Sequence, residues 1–169
     1  MKGPFGNGSG WRGETVTRDE FAQAIEQYGD MIFRLSYSCL KRREDAEDVM
    51  QETLLKLYRS DKPFESEAHR RFWLVRVAVN ECRRAHRWYR RIVPLEELPE
   101  TVAFDRSEER ELFRQVMALP EKYRLTVYLF YYEGYSAREI ASIMGTKEST
   151  VQTRLARARE RLRQSLEEV

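Results

Sequence analysis

At 169 residues, with 41% hydrophobic and 34% charged residues, the chain has enough apolar material to bury a core, which excludes global disorder and leaves room for one ordinary domain or two small ones. Its 30 basic and 28 acidic side chains nearly cancel to a formal charge of +2, so only the distribution of charge can point to partners. Cys39 and Cys82 form no C-x-x-C pair, which argues against a zinc knuckle or a disulfide framework and for two small core residues in a reducing compartment. No apolar run approaches bilayer length and no apolar stretch opens the chain, so the expectation is a cytoplasmic protein.

Five of the eight glycines fall within residues 1–13, a stretch that holds a fixed backbone only at high entropic cost, and residues 1–16 are expected to form a flexible tail. Thr17 and Glu20 then have capping-box spacing, and Phe21, Ile25, Tyr28 and Ile32 recur with helical period. A second helix is expected from Arg43, where Asp45, Glu47 and Asp48 suit a helix N-terminus and Ala46, Val49, Met50 and Leu57 supply apolar positions, until Pro63 stops it. Ser66 can cap a third helix reaching Arg91, with Leu74, Val77, Ala78 and Ala85 on one side. Within residues 68–91 eight arginines face Glu81 as the one acid. Residues 93–111 reverse this, with seven acids against Arg106 and Arg110, and they carry Pro94 and Pro99. That composition predicts an interdomain linker.

The second half opens with a helix over 108–118 and another with Pro120 at its first position. Ser136 and Glu139 form a further capping box ahead of Ala137, Ile140, Ala141 and Met144, and Gly145 can take the left-handed conformation a sharp reversal needs. The following helix, over 148–166, turns Val151, Leu155, Ala158 and Leu162 inward and Ser149, Gln152, Thr153, Ala156 and Arg157 outward. Small Ala141, turn Gly145 and branched Val151 have the spacing of a DNA-binding helix-turn-helix. The short polar outer face can approach base edges, while Arg154, Arg157, Arg159, Arg161 and Arg163 can meet phosphates. No strand-like alternation is present. The fold class expected is all-α: two small helical domains, over 17–92 and 110–169, joined by an acidic flexible linker over 93–109, with the helix-turn-helix in the second.

The runs L-P-E-K-Y-R (119–124), E-G-Y-S-A-R-E-I-A (133–141), Gly145 and S-T-V-Q-T-R-L-A-R-A-R (149–159) resemble the promoter-recognition domain of bacterial RNA polymerase sigma factors. R-E-D-A-E-D-V-M-Q-E-T (43–53) and F-W-L-V-R-V-A-V-N (72–80) resemble that family's domain for binding polymerase and opening DNA. With nothing between them like the middle domain of larger members, the chain resembles the extracytoplasmic-function (ECF) subgroup of the sigma-70 family. The resemblance implies that Asp45, Asp48, Gln51 and Glu52 dock on the largest subunit of core RNA polymerase. On their own these acids read as a solvated helix face. It further implies that Trp73, Arg76, Asn80, Arg83, Arg84 and Arg87 contact the minus-ten element, with residues 61–71 as a base-capturing loop. Lys147, Ser149, Thr150, Gln152, Thr153, Arg154, Ala156 and Arg157 would contact the minus-thirty-five element.

Basic residues with interleaved aromatics suit a strand whose bases are unstacked and captured, although Trp73 reads equally as a core aromatic. Arg84 stands where many relatives carry an acid, so an ion pair typical of the family is expected to be absent. Expected partners are core polymerase, promoter DNA and an anti-sigma factor, with no cofactor, metal or small-molecule substrate. An enzyme is disfavoured: His69 and His86 are the only histidines, the acids over 44–52 fit a helix surface better than an acid-base pair, and no phosphate-cradling glycine loop occurs. The alternative is a stand-alone helix-turn-helix regulator whose first half is a sensor or dimerisation bundle.

Overall fold

The computed structural model describes residues 18–60, 63–89 and 107–167. These form α1 (Arg18–Leu40), α2 (Arg43–Tyr58), α3 (Glu67–Tyr89), α4 (Ser107–Ala118), α5 (Glu121–Val127), a π-helical turn (Tyr128–Tyr132), α6 (Ala137–Met144) and α7 (Glu148–Glu167). Among the described residues there is no strand, and the all-α expectation holds. The glycine-rich tail, the Thr17 cap and most of the acidic linker lie outside the described residues.

Helices α1, α2 and α3 pack on one another, and α5, α6 and α7 pack on one another, more densely than the two groups meet. In the first group Ile32 and Leu35 of α1, Leu54 and Leu57 of α2, and Leu74, Val75 and Val79 of α3 are buried. In the second, Leu129, Ile140, Ile143, Val151 and Leu155 are. Each such side chain contributes roughly 1.5–3 kcal/mol. Most of the periodic residues read from the sequence are packing residues, with Leu162 partly buried against them; Ile25 instead is 42% exposed, and its neighbour Ala24 is buried. Ser66 caps α3 as expected, its Oγ accepting from the His69 backbone N–H at 3.1 Å. Two boundaries differ. Helix α2 ends at Tyr58, before Pro63, because the Arg59 and Ser60 amides already close its last turn onto Leu55 and Leu57. Pro120 caps α5 rather than opening it, its carbonyl accepting from the Tyr123 and Arg124 amides.

The last turn of α1 is buried on every side from Leu35 to Leu40, the condition of a helix with neighbours all round it. Its end is turned by Lys41 in the left-handed region (φ 59°), with the Lys41 amide returning to Tyr37 O at 2.9 Å. The remaining carbonyls have no partner within the helix, and the second group supplies one. Arg124 of α5 is 4% exposed. Its Nε donates to Ser38 O and its Nη2 to Cys39 O at 3.1 Å. Its Nη1 donates to Met117 O at 3.2 Å and Leu119 O at 2.8 Å, at the end of α4. One guanidinium thus closes two helix C-termini. Burial pulls its pKa below the ordinary arginine value, which the nearby Glu121 partly offsets.

At the start of α6 the capping box forms: Ser136 Oγ accepts from the Glu139 N–H at 3.3 Å, and Glu139 Oε2 accepts from the Ser136 N–H at 2.8 Å. Gly145 takes φ 62°, ψ 43°, and its N–H and that of Thr146 both return to Ala141 O. A Cβ here meets nothing within 4 Å, so substitution costs backbone strain rather than a clash. Gly145→Ala is expected to lower stability by about 1–2 kcal/mol, measured by urea denaturation. An unchanged midpoint would contradict the left-handed turn.

Candidate nucleic-acid and polymerase interfaces

The candidate polymerase face lies on α2. Asp48 and Gln51 are exposed and Glu52 is half-buried, one helical turn apart along one side. Asp45 does not join them. Its side chain is 5% exposed and lies 3.5 Å from Arg42 Nε, turned under the start of α2 instead of outward. The reason is register: Asp45 precedes Ala46 and Val49 on the edge of the packed face, and its carboxylate suits the helix N-terminus.

The candidate minus-ten face lies on α3. Trp73, Arg76, Asn80, Arg84 and Arg87 recur every three or four residues along one side, with Arg83 one position before Arg84. Arg76, Asn80, Arg84 and Arg87 are exposed. Trp73 is half-buried and meets Phe64 edge-on with ring centroids 5.5 Å apart, between a core aromatic and an open one. Arg84, 71% exposed, lies 3.6 Å from Glu81, which also binds Lys56 of α2. Arg83 is turned away from the others and donates from Nη2 to Met144 O at 2.5 Å, at the end of α6.

The candidate minus-thirty-five face is the start of α7. Lys147, Ser149, Gln152, Thr153, Ala156 and Arg157 are exposed, Thr150 and Arg154 half-buried, above a seam of buried Val151, Leu155 and Ala158. Arg154 lines a cavity of about 210 Å³ with Arg83, Lys122, Glu121 and the two cysteines. Both cysteines are buried and free; the hydrogen bond with the Cys39 thiol, then burial, pushes the Cys82 thiol well up, as expected of an unreactive core thiol.

Tyr131 gives no motif in the sequence. The π-helical turn after α5 presents it to solvent, where its hydroxyl accepts from Arg159 Nε at 2.8 Å, with the guanidinium carbon 6.0 Å from its ring centroid. Arg159 lies two turns beyond Gln152 on the same side of α7, so Tyr131 fixes a cation at the edge of the candidate minus-thirty-five face. The signal available was the exposed Y-Y pair in an otherwise apolar helix; period alone could not separate it from core. Among the described residues no cluster could hold a metal ion, and no helix is long and apolar enough to cross a membrane. His86, weighed above as a catalytic candidate, instead contacts Cys39 O at 3.2 Å.

A helical chain ending in a helix-turn-helix, with a basic stripe on an earlier helix, defines a DNA-binding protein of transcription. Two family descriptions match it, Sigma-70 region 2 over residues 24–92 and Sigma-70, region 4 over residues 109–162. The chain is 33% identical over 153 residues to the ECF RNA polymerase sigma factor SigM of Mycobacterium tuberculosis, covering 86% of this chain and 76% of that one. It is 29% identical over 171 residues to ECF sigma factor SigW of Bacillus subtilis, covering 90% and 91%. Among solved structures, the sigma factor RpoE from Bartonella quintana, in complex with the anti-sigma factor NepR, has 24% identity and a TM-score of 0.73 over 88% of this chain and 98% of that one. CnrH, in complex with the cytosolic domain of CnrY, has a TM-score of 0.62 over 89% and 90%. At that identity the structures speak to the fold. The chain belongs to the ECF group of sigma-70 RNA polymerase sigma factors, and it is a transcription-initiation factor that acts with RNA polymerase on promoter DNA.

The capping box that opens α6 is strengthened by the charge of Glu139. The Ser136 hydroxyl, then its amide, hold the Glu139 carboxyl below its ordinary value of 4.5. A depressed folded-state pKa stabilises above the unfolded value and is lost as pH falls through the folded one. The stability difference between the parent and Glu139→Gln is therefore expected to be largest at neutral pH and to shrink as pH falls below about 4.5. Urea denaturation across that range checks it; a difference that does not vary with pH would refute it.

Proposed function

We propose that this sigma factor divides its work among three helix faces. Asp48, Gln51 and Glu52 on α2 dock against a basic surface of the largest subunit of core polymerase. The α3 stripe of Trp73, Arg76, Asn80, Arg83, Arg84 and Arg87 engages the minus-ten element, where exposed cations beside an aromatic suit a strand with unstacked bases. The start of α7 reads the minus-thirty-five element as duplex, with Gln152 and Thr153 at base edges and Arg154 and Arg157 at phosphates. Residues 17–92 and 110–169 are the corresponding functional domains, and residues 93–109 the tether. The observation that carries the reading is α7 itself, whose buried seam fixes an exposed, short-chained polar face at the N-terminal end of the helix.

On this reading the chain has no catalytic step of its own and works in the cytoplasm, where polymerase is. An anti-sigma factor is its negative regulator: the similar RpoE structure is of a sigma factor in complex with an anti-sigma factor.

Asp48→Arg is expected to abolish binding to core polymerase without unfolding the chain, because Asp48 is exposed and the reversal sets like charges face to face, at a cost of several kcal/mol. A pull-down with core enzyme beside a thermal melt tests it, and a folded mutant that binds normally would remove the α2 assignment.

Changing Gln152 is expected to alter which minus-thirty-five sequences are selected by reconstituted holoenzyme, at about 1–3 kcal/mol against the original one. Arg161→Ala, further along α7, is expected to weaken all sequences alike. Identical selected promoters from the Gln152 variant and its parent would rule out this contact.

A further inference from the structure

Phe64, just before α3, is the ring on which several side chains of that helix meet. It is half-buried and stands edge-on to Trp73 with centroids 5.5 Å apart and to His69 at 5.7 Å, and the guanidinium carbon of Arg70 lies 5.6 Å from its centroid. Arg70 itself is 8% exposed. Its Nη1 donates to Glu67 Oε2 and to Tyr28 Oη of α1, each at 3.3 Å. The other carboxylate oxygen, Glu67 Oε1, accepts from Tyr28 Oη at 2.5 Å and from Gln27 Nε2 at 3.0 Å. One carboxylate thus ties α1 to the first turn of α3, and the cation it orients reaches the ring of Phe64.

We infer that Tyr28, Glu67 and Arg70 are positioning residues for promoter opening: they hold the Phe64 and Trp73 rings as a preformed seat for one unstacked base of the minus-ten strand. None of the three needs to touch DNA. The inference rests on the assignment of α3 and the segment before it to the minus-ten element.

The first support is what a ring outside a helix requires. Stacking a base on an aromatic side chain is a modest gain, and a ring that has to be ordered at the moment of binding forfeits part of it. Phe64 precedes α3, so the hydrogen-bond ladder of the helix does not fix it. The main chain after it is held by the Glu65 N–H, which donates to His69 Nδ1 at 3.3 Å, and by the Ser66 cap. The ring itself is held by Arg70 and Trp73, and Arg70 is held in turn by Glu67 and Tyr28.

The second is that the network is anchored in the core and the rings are not filled by it. Tyr28 is 3% exposed on the packed face of α1. Burial, then the hydrogen bond to Glu67, pushes its hydroxyl up to about 12, so it stays a neutral donor at neutral pH. A buried guanidinium needs a carboxylate, which Glu67 supplies. Phe64 and Trp73, by contrast, pack against the core while each stays half-buried, which leaves aromatic surface for a further ring. Exposed Arg76 and Asn80 follow Trp73 on the same side of α3, where the strand on either side of a captured base finds donors.

The test is a thermodynamic cycle on holoenzyme reconstituted with the full chain. The ligand is a single-stranded minus-ten oligonucleotide from a promoter that the holoenzyme selects, with an abasic site placed at each position in turn, at one stated salt concentration. At one position the abasic site is expected to weaken binding by the parent about tenfold. Tyr28→Phe removes only the hydroxyl, and Glu67→Gln, at a side chain half exposed to solvent, removes the charge that orients Arg70. Each variant is expected to bind the intact strand about fivefold more weakly and the abasic strand as the parent does, which cuts the abasic penalty to about twofold. Helicity and binding to core polymerase are expected to be unchanged. A merely structural role weakens intact and abasic strands alike, and that result overturns the inference, as does a folded variant whose abasic penalty stays at the parent's value. Should Tyr28→Phe fail to fold, Glu67→Gln decides. A parent with no abasic penalty at any position sinks the minus-ten assignment itself, whatever the variants do.

Discussion

The structure turns on one buried cation. A guanidinium taken out of water is costly unless charge and hydrogen bonds compensate it, and Arg124 has no carboxylate among its hydrogen-bond partners. Its compensation is main-chain. Each helix C-terminus carries the equivalent of about half a negative charge in its unsatisfied carbonyls, and Arg124 sits at two of them, the ends of α1 and α4. Two half charges meet one whole charge, and four carbonyls that no helix could satisfy internally find donors. Arginine is required because its flat fork can reach two acceptors on one side and two on the other; a lysine, with three donors on a point, cannot.

That arrangement explains features of α1 that its sequence leaves puzzling. The last turn, S-Y-S-C-L, carries no basic residue to balance its own dipole, and small residues there let neighbours approach from several sides. Lys41 follows immediately, yet burial and then the charge of Arg124 lower its pKa, so it sits as a competitor beside the cation already in place. The carbonyl of Cys39 receives His86 as well as Arg124, which brings α3 to the same point. Helices distant in the chain are thereby registered on one small patch of main-chain oxygen.

Local structure was legible where chemistry is local. The capping box of Ser136 and Glu139, the left-handed Gly145, the Ser66 cap and the inward residues of α7 follow from spacing and backbone preference, because each depends on residues within four positions of itself. The exposed face of α7 follows for the same reason. What the sequence could not carry are the facts that depend on partners far along the chain. L-P-E-K-Y-R reads as a motif, but nothing in it says that its arginine ends in the last turn of α1. Asp45 and Asp48 look alike in a run of acids, and only packing sends one under the helix start and leaves the other outside. The π-helical turn is equally silent, since an inserted residue in a helix is a choice between near-equal hydrogen-bond patterns that tertiary contacts settle.

The near-zero total charge has a physical sense in this light. A chain whose helices were merely basic would repel itself on packing and bind any duplex it met. Here single acids are placed where helices meet: Glu133, its side chain almost fully covered, against Arg71, Glu81 between Lys56 and Arg84, and Glu121 beside His86 and near Arg124. Each cancels charge at a joint between helices while Arg76, Arg87 and Arg157 remain exposed on the outer faces.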